Sequence, residues 1–346
     1  MEKKVIFLPF INGRDDTADG RQWRKEKERV FLAEPEISNL TKDIEQIRNP
    51  DPNADNDAAY YQALHKKKSA RQEKWLNRLF TEASDLLKNK LDSLSDEERN
   101  SDDYVIVAAF PEFFWHDIND NDKHEEGDPL KNGRYIVGYH KPLYHNNMVN
   151  ILSSDNNPFK KLTLDYPNLI IFGGTAMWKF INPSDHTDEK IYNTLFVFHS
   201  GKIASAWSKH FVSTIDGFYS DAPGIELVKN KIGALKKDYD FIPFVEFQGV
   251  KFTYDICLDF VKGENGKPLS TELCNKQKTD VNVLISAGMP ILNKDLSKIN
   301  SPVILRCDGS YHPYAEIALN GPYPPTNHKS ISDGAKIGRM DIKIDI

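Results

Sequence analysis

Dense apolar runs punctuate an otherwise polar chain. Residues 5–11 (VIFLPFI), 104–110 (YVIVAAF), 168–174 (NLIIFGG), 280–286 (DVNVLIS) and 302–307 (PVILRC) have the continuity of buried strands. Residues 193–199 and 203–207, around the turn Ser200-Gly201-Lys202, predict a hairpin; residues 241–247 and 250–257, around Gln248-Gly249, predict another. A different period governs residues 58–94. Trp75, Leu76, Leu79, Phe80, Ala83, Leu86, Leu87, Leu91 and Leu94 recur at threes and fours, one apolar stripe of a helix that residues 95–103 end. A second helix is expected over 146–162, a loop at 49–53 (NPDPN), and a last run at 336–346. Strands alternate with helices early and pair as hairpins in the middle, which predicts an α/β layered fold with a mixed sheet and no repeat of fixed period.

Composition excludes several classes. With 39% apolar and 28% charged residues, the chain is not disordered as a whole. A net charge of −6 argues against a nucleic-acid binder, and the basic run Lys66, Lys67, Lys68, Arg71 is closely followed by Glu73, Glu82 and Asp85. Three widely spaced cysteines, Cys257, Cys274 and Cys307, form no disulfide framework, which points to a reducing, cytoplasmic setting. The N-terminal MEKKVIFLPF is broken by Pro9 and lacks a small-residue cleavage site, so it reads as a strand and not a signal peptide. No window approaches the roughly 18 apolar residues of a membrane-spanning helix. Residues 12–57 are charge-dense, with Trp23, Val30, Phe31 and Leu32 as apolar islands that need a burial partner.

Three polar residues follow strands. Glu112 follows YVIVAAFP, Lys209 follows IASAWS and Cys257 follows VKFTYDI. Side chains at strand ends combine a rigid scaffold with freedom to reach a ligand. Taken singly, each has a plainer reading: a solvated strand end, a surface lysine and a small core residue.

The flanking words add to this. VIVAAFPEFFW (105–115), YNTLFVFHSGKIASAWSKHF (192–211) and VKFTYDICLDF (250–260) occur in one order, with Asn193-Thr194 opening a strand and Gly201 in its turn. In these words, over residues 4 to about 290 and excluding a segment near 13–70, the chain resembles the nitrilase (carbon–nitrogen hydrolase) superfamily, amidase-like branch. The resemblance implies a nitrilase-type α-β-β-α sandwich. It also implies a Glu-Lys-Cys site, with Cys257 as nucleophile, Glu112 as general base and Lys209 as electrostatic partner. The Lys209 ammonium and the Leu258 N–H would stabilise the oxyanion. The chemistry is consistent on its own terms, because a thiol needs a base to form its nucleophilic thiolate and a developing oxyanion needs preorganised donors. Asp216, the first acid after Lys209, would support the site, unless it is only a loop residue before Gly217. Asp259, two residues after the cysteine, reads as structural. Phe113, Trp115 and His210 are candidates to line a substrate pocket, with a packed core role as the alternative for each.

The chain departs from the family pattern after Cys257, where Phe260-Val261-Lys262-Gly263 stands, and after residue 286, where a family helix is shortened or lost. The late strand pair also looks abbreviated. The loop His116, Asp117, Asp120, Asp122, His124, Glu125, Glu126, Asp128 resembles a calcium loop only in its first positions, because Asp122 stands where glycine is required, so no metal site is assigned. The expectation is one domain over 1–346, with a helical or loop insert at 13–70 between the first strand and the first helix. Its function would be hydrolysis of a non-peptide C–N bond, an amide or carbamoyl group, through a cysteine thioester. No cofactor is called for. Its partners would be a small amide-type substrate and a second copy in a homodimer, with neither nucleic acid nor membrane. An acyltransferase on the same triad and an inactive binding module of the same fold are the alternatives.

Overall fold

The long apolar runs fold as strands whose alternate side chains reach two different cores. In β1 (Glu2–Ile11), Ile6, Leu8 and Phe10 face a helical layer, while Val5 and Phe7 face a second sheet. In β2 (Tyr104–Ala109), Ile106 and Ala108 take the first side and Val105, Val107 and Ala109 the second. Side chains alternate in a strand, so burial on both faces demands an unbroken apolar run.

The computed structural model describes residues 2–11, 22–48, 58–112, 114–115, 117, 143–182, 185–211, 242–274, 277–292, 298–309, 315–319 and 336–346. Strands continue as β3 (Leu143–Tyr144), β4 (Leu169–Asn182), β5 (Asp185–His199), β6 (Lys202–Ser208), β7 (Phe244–Phe247), β8 (Val250–Ile256), β9 (Val281–Ser286), β10 (Val303–Asp308), β11 (Ala315–Leu319), β12 (Lys336–Ile337) and β13 (Met340–Asp345). Helices are α1 (Gln22–Leu32), α2 (Pro35–Arg48), α3 (Ala58–Asp92), α4 (Asp96–Asn100), α5 (His145–Ser153), α6 (Pro158–Asp165), α7 (Asp259–Lys262) and α8 (Leu269–Leu273).

Two mixed sheets result. The first runs β12-β1-β2-β4-β5-β6, with β13 beside β1 and β3 beside β4; the second runs β11-β10-β9-β8-β7. β1, β2 and β4 are parallel, as are β8, β9 and β10, so each sheet has a set of strands ending on one side. The sheets pack through Phe7, Val107, Phe172 and Val197 from one, and Phe252, Tyr254, Val283 and Leu305 from the other. The Phe172 ring lies 5.9 Å from that of Phe252. The outer face of the first sheet carries the α3 stripe with α5 and α6; the outer face of the second carries Leu284 and Ile304 against Phe260 of α7 and Ile299.

The sequence-based expectations meet four differences. The helix expected over 146–162 is two helices, because Pro158 lacks an N–H and fits the first turn of α6, where Asn157 accepts from Phe159 N and Lys160 N. Residues expected only to end α3 instead form α4, closed by a capping box between Ser95 and Glu98. The strands expected at 168–174 and 193–199 extend into a β4–β5 hairpin of 14 and 15 residues, whose charged stretch Asp185–Lys190 hides the pairing from pattern reading. β11 was not expected. Among the described residues no helix occurs between β9 and β10, and no helix is long and apolar enough to cross a membrane.

Within residues 13–70, Phe31 is buried with its ring 5.3 Å from that of Trp75, and Leu32 packs at the same core, but Val30 is 42% exposed. Lys27 of α1 pairs with Glu82 of α3 (2.7 Å), Arg78 of α3 reaches Glu34 between α1 and α2, and Lys74 pairs with Glu36 of α2, so α1 and α2 are fastened along α3. The 49–53 loop, the loop from 118 to 128 and the side chain of Trp23 lie outside the described residues.

Candidate active site

Glu112 owes its place to a bulge in a neighbouring strand. Past β2 the chain keeps one more sheet bond, Phe110 N to Phe172 O (2.9 Å), and then Pro111 turns it out of the sheet. β4 makes room by shifting register between Phe172 and Thr175. Gly174 sits there at φ 74°, and a Cβ on it would lie 2.7 Å from Pro111 O. Only glycine meets both demands. Glu112 N then reaches Ser286 O at the end of β9 (3.3 Å), crossing from the first sheet to the second.

Lys209 directly follows β6, its N–H donating to Asn193 O of β5 (2.9 Å). Its Nζ meets Glu112 Oε1 at 2.8 Å, and both side chains are 0% exposed. The same Oε1 accepts from Asn193 Nδ2 at 2.9 Å. A charge this deep is tolerated only when paired and hydrogen-bonded.

Cys257 follows β8 and is 3% exposed. Its backbone is left-handed, φ 48°, while Leu258 is already helical (φ −62°, ψ −21°) and α7 begins at Asp259. A strand thus turns sharply into a helix at the cysteine. Non-glycine residues held this way cost on the order of 1–3 kcal/mol and occur where surrounding structure overrides the strain. Cys257 N donates to Ile285 O (2.9 Å), and Phe260 N returns to Cys257 O (3.0 Å).

The three residues converge at one end of β9. Cys257 N and Glu112 N take the successive carbonyls of Ile285 and Ser286. Asp259 closes the circle, accepting from His210 N (3.0 Å to Oδ1) and Phe211 N (2.9 Å), so the residues after Lys209 are bound to the turn after Cys257. Burial pushes the Asp259 carboxyl up and nearby Asp255 adds to this, while the two amides and the Lys209 charge pull it down. The arrangement places a thiol, a carboxylate and an ammonium at the ends of β8, β2 and β6.

Among the solved structures this chain resembles are carbon–nitrogen hydrolases. A carbon–nitrogen hydrolase from Helicobacter pylori G27 aligns with TM-score 0.38 at 11% identity, over 77% of this chain and 83% of that one. An amidase from Nesterenkonia sp. aligns with TM-score 0.37 at 9% identity, over 77% and 84%. A glutamine-dependent NAD+ synthetase from Acinetobacter baumannii covers all of this chain with TM-score 0.39 at 11% identity. This chain spans less than half the length of the NAD+ synthetases it matches, 46% and 43%. No protein-family model and no curated protein matches the sequence.

The remaining candidates divide. The His210 ring stacks on Trp207 at 4.6 Å and 18°, with Nδ1 donating to Ser208 O (3.0 Å). Leu258 is half-buried at the start of α7. Trp115 lies on the helix side of the first sheet: its ring stacks on Phe80 of α3 at 3.8 Å and its Nε1 donates to Gly173 O (2.5 Å), anchoring the segment after Glu112. Phe113 and Asp216 lie outside the described residues. Among the described residues no group of three His, Cys, Asp or Glu could hold a metal ion.

Two supports escaped sequence reading. Asn193 appeared only as a word-opening residue, yet it contacts both Glu112 and Lys209. Asp308, buried at the end of β10, accepts from Ser286 Oγ (2.6 Å), Gly288 N, Met289 N and Arg306 Nη1 (3.0 Å), fixing the β9 turn beneath Glu112. Both residues border an apolar run: Asn193 stands just before 195–198 and Asp308 just after 303–307.

Proposed function

We propose that this chain is a cysteine hydrolase of a non-peptide C–N bond, an amide or carbamoyl group, working through Cys257, Glu112 and Lys209. The observation that carries the reading is the fully buried Glu112–Lys209 pair at the same strand ends as the left-handed Cys257. Glu112 takes the Sγ proton, and sulfur attacks the carbonyl carbon. The oxyanion that forms is met by the Lys209 ammonium and the Leu258 N–H. Collapse breaks the C–N bond, Glu112 returns the proton to the departing nitrogen, and ammonia or an amine leaves. Glu112 then takes a proton from water, hydroxide attacks the thioester, and the acid and the thiol are released.

The same reading makes residues 1–346 one domain, a nitrilase-type α-β-β-α sandwich in which the two facing sheets with helices outside are the supporting feature. Residues 13–70 are its insert, and Asp216 its supporting acid. It implies a homodimer and a cytoplasmic setting, the latter supported by three free cysteines, all buried.

The test is release of ammonia or amine from a panel of linear amides and carbamoyl compounds, with hydroxylamine present in parallel. Wild type is expected to turn over at least one substrate, and Cys257→Ala and Glu112→Gln to lose nearly all activity. Activity that survives Cys257→Ala sinks the reading. Hydroxamate formed in preference to acid makes the chain an acyltransferase on the same residues.

A further inference from the structure

We propose that Asn193 is a positioning residue that holds the Glu112 carboxylate and the Lys209 backbone in one register, and so sets the pH at which Cys257 becomes reactive. The inference rests on the reading of Glu112 as the base for Cys257. Asn193 shares a strand face with Leu195 and Val197, which lie in the core between the sheets, whereas Tyr192, Phe196 and Phe198 lie in the helix-side core. An amide on that apolar face is 1% exposed. Placing it there is costly unless its polar atoms are used.

They are used on both sides of the site. Its side chain donates to Glu112 Oε1 at 2.9 Å, and its carbonyl accepts from Lys209 N at 2.9 Å. An ionised carboxylate only accepts, so the amide nitrogen must face it. The neighbouring residue secures the strand: Thr194 Oγ1 accepts from Trp178 Nε1 (2.9 Å) and lies 2.7 Å from Ser208 Oγ, next to Lys209. One residue therefore fixes the base through its side chain and the cation through its backbone. The consequence is electrostatic as well as geometric. An N–H on Oε1 favours the carboxylate over the acid, so the base stays competent to lower pH.

The test uses the whole 346-residue chain and iodoacetamide, reading Cys257 labelling by peptide mass spectrometry from pH 4 to 10. Asn193→Ala removes one charge-assisted hydrogen bond, and the acid limb of the labelling profile should move up by about one pH unit. Asn193→Asp replaces the donor with a second carboxylate facing Glu112, and the limb should move further in the same direction. A merely structural role would lower the melting temperature and the plateau rate while leaving that limb in place; an unmoved limb in both variants overturns the proposal. Glu112→Gln in the same assay separates the two levels. If it removes the acid limb but the Asn193 variants do not shift it, the proposal fails and the parent reading stands. If it changes nothing, both fail. Should the single variants fold poorly, the exchange Glu112→Gln with Asn193→Asp swaps donor and acceptor across the same contact. That double variant should melt above Asn193→Asp alone; melting at or below it also overturns the proposal.

Discussion

The buried Glu112–Lys209 pair makes a demanding prediction about stability. Removing one partner strands the other in a dry site: Lys209→Met leaves the carboxylate, and Glu112→Gln leaves the ammonium. Both side chains are 0% exposed, so the surface value of about 0–1 kcal/mol for an ion pair does not apply. Breaking a buried pair costs about 3–5 kcal/mol. Lys209→Met should lie at the upper end, because the Lys209 charge also offsets the buried Asp259 carboxyl. At about 2.1 cal/mol/K per residue, unfolding entropy for 346 residues is about 0.7 kcal/mol/K, so each single variant should melt about 4–7 °C lower. The double variant replaces two charges with neutral side chains of similar volume and strands neither, so its loss should fall short of the summed singles by at least about 2 kcal/mol. Urea unfolding at pH 7, followed by tryptophan fluorescence, gives the four free energies of the cycle. Single losses below about 1 kcal/mol, or losses that simply add, would refute the picture of a dry, mutually dependent pair.

Three further outcomes are expected. Gly174→Ala places a Cβ 2.7 Å from Pro111 O at φ 74°, so it should destabilise by more than the roughly 1–3 kcal/mol of backbone strain alone and slow Cys257 alkylation; unchanged labelling would mean that the Glu112 loop does not depend on the bulge. Burial pushes the Cys274 thiol up to about 11, and burial pushes Cys307 up as well, so in native protein at pH 8 both should alkylate far more slowly than after urea unfolding, with the Cys274 rate rising about tenfold per pH unit toward 11. Burial raises Asp255 from 3.8 to about 6 in the folded chain, so its contribution is fully present below about 3.8 and lost as pH rises through about 6. Relative to Asp255→Asn, wild type should lose about 2 kcal/mol between pH 4 and 7, and parallel stability curves for the two proteins would contradict this.

Much of the fold was legible because burial writes itself into periodicity. β1 from Val5 and β2 from Val105 are apolar on both faces, so they read as continuous runs, while β9 and β10 are buried on both faces with Asn282, Ser286, Arg306 and Asp308 among their buried residues. α3 buries one side, so Trp75 to Leu91 recur at helical spacing. Where a charged stretch is paired through its backbone, the apolar pattern fails, as in the β4–β5 extension over Asp185–Lys190. Pro158 split a helix because a missing N–H is a local fact that apolar spacing overlooks.

Glu112, Lys209 and Cys257 each close an apolar run, and that much is a local property of the chain. That those ends meet is a property of the folded chain. The carbonyls of Ile285 and Ser286 gather Cys257 and Glu112 from two different sheets, and Asp259 binds the segment after Lys209 to the turn after Cys257. The fold also set the Trp115 ring against Phe80 of α3 and the Asn193 amide against Glu112. The physical reason is the same in each case. Hydrophobic burial is non-directional and can be read from one position at a time, whereas a hydrogen bond or an ion pair needs a specific partner, and here the partners of Glu112 stand 81 and 97 residues away along the chain.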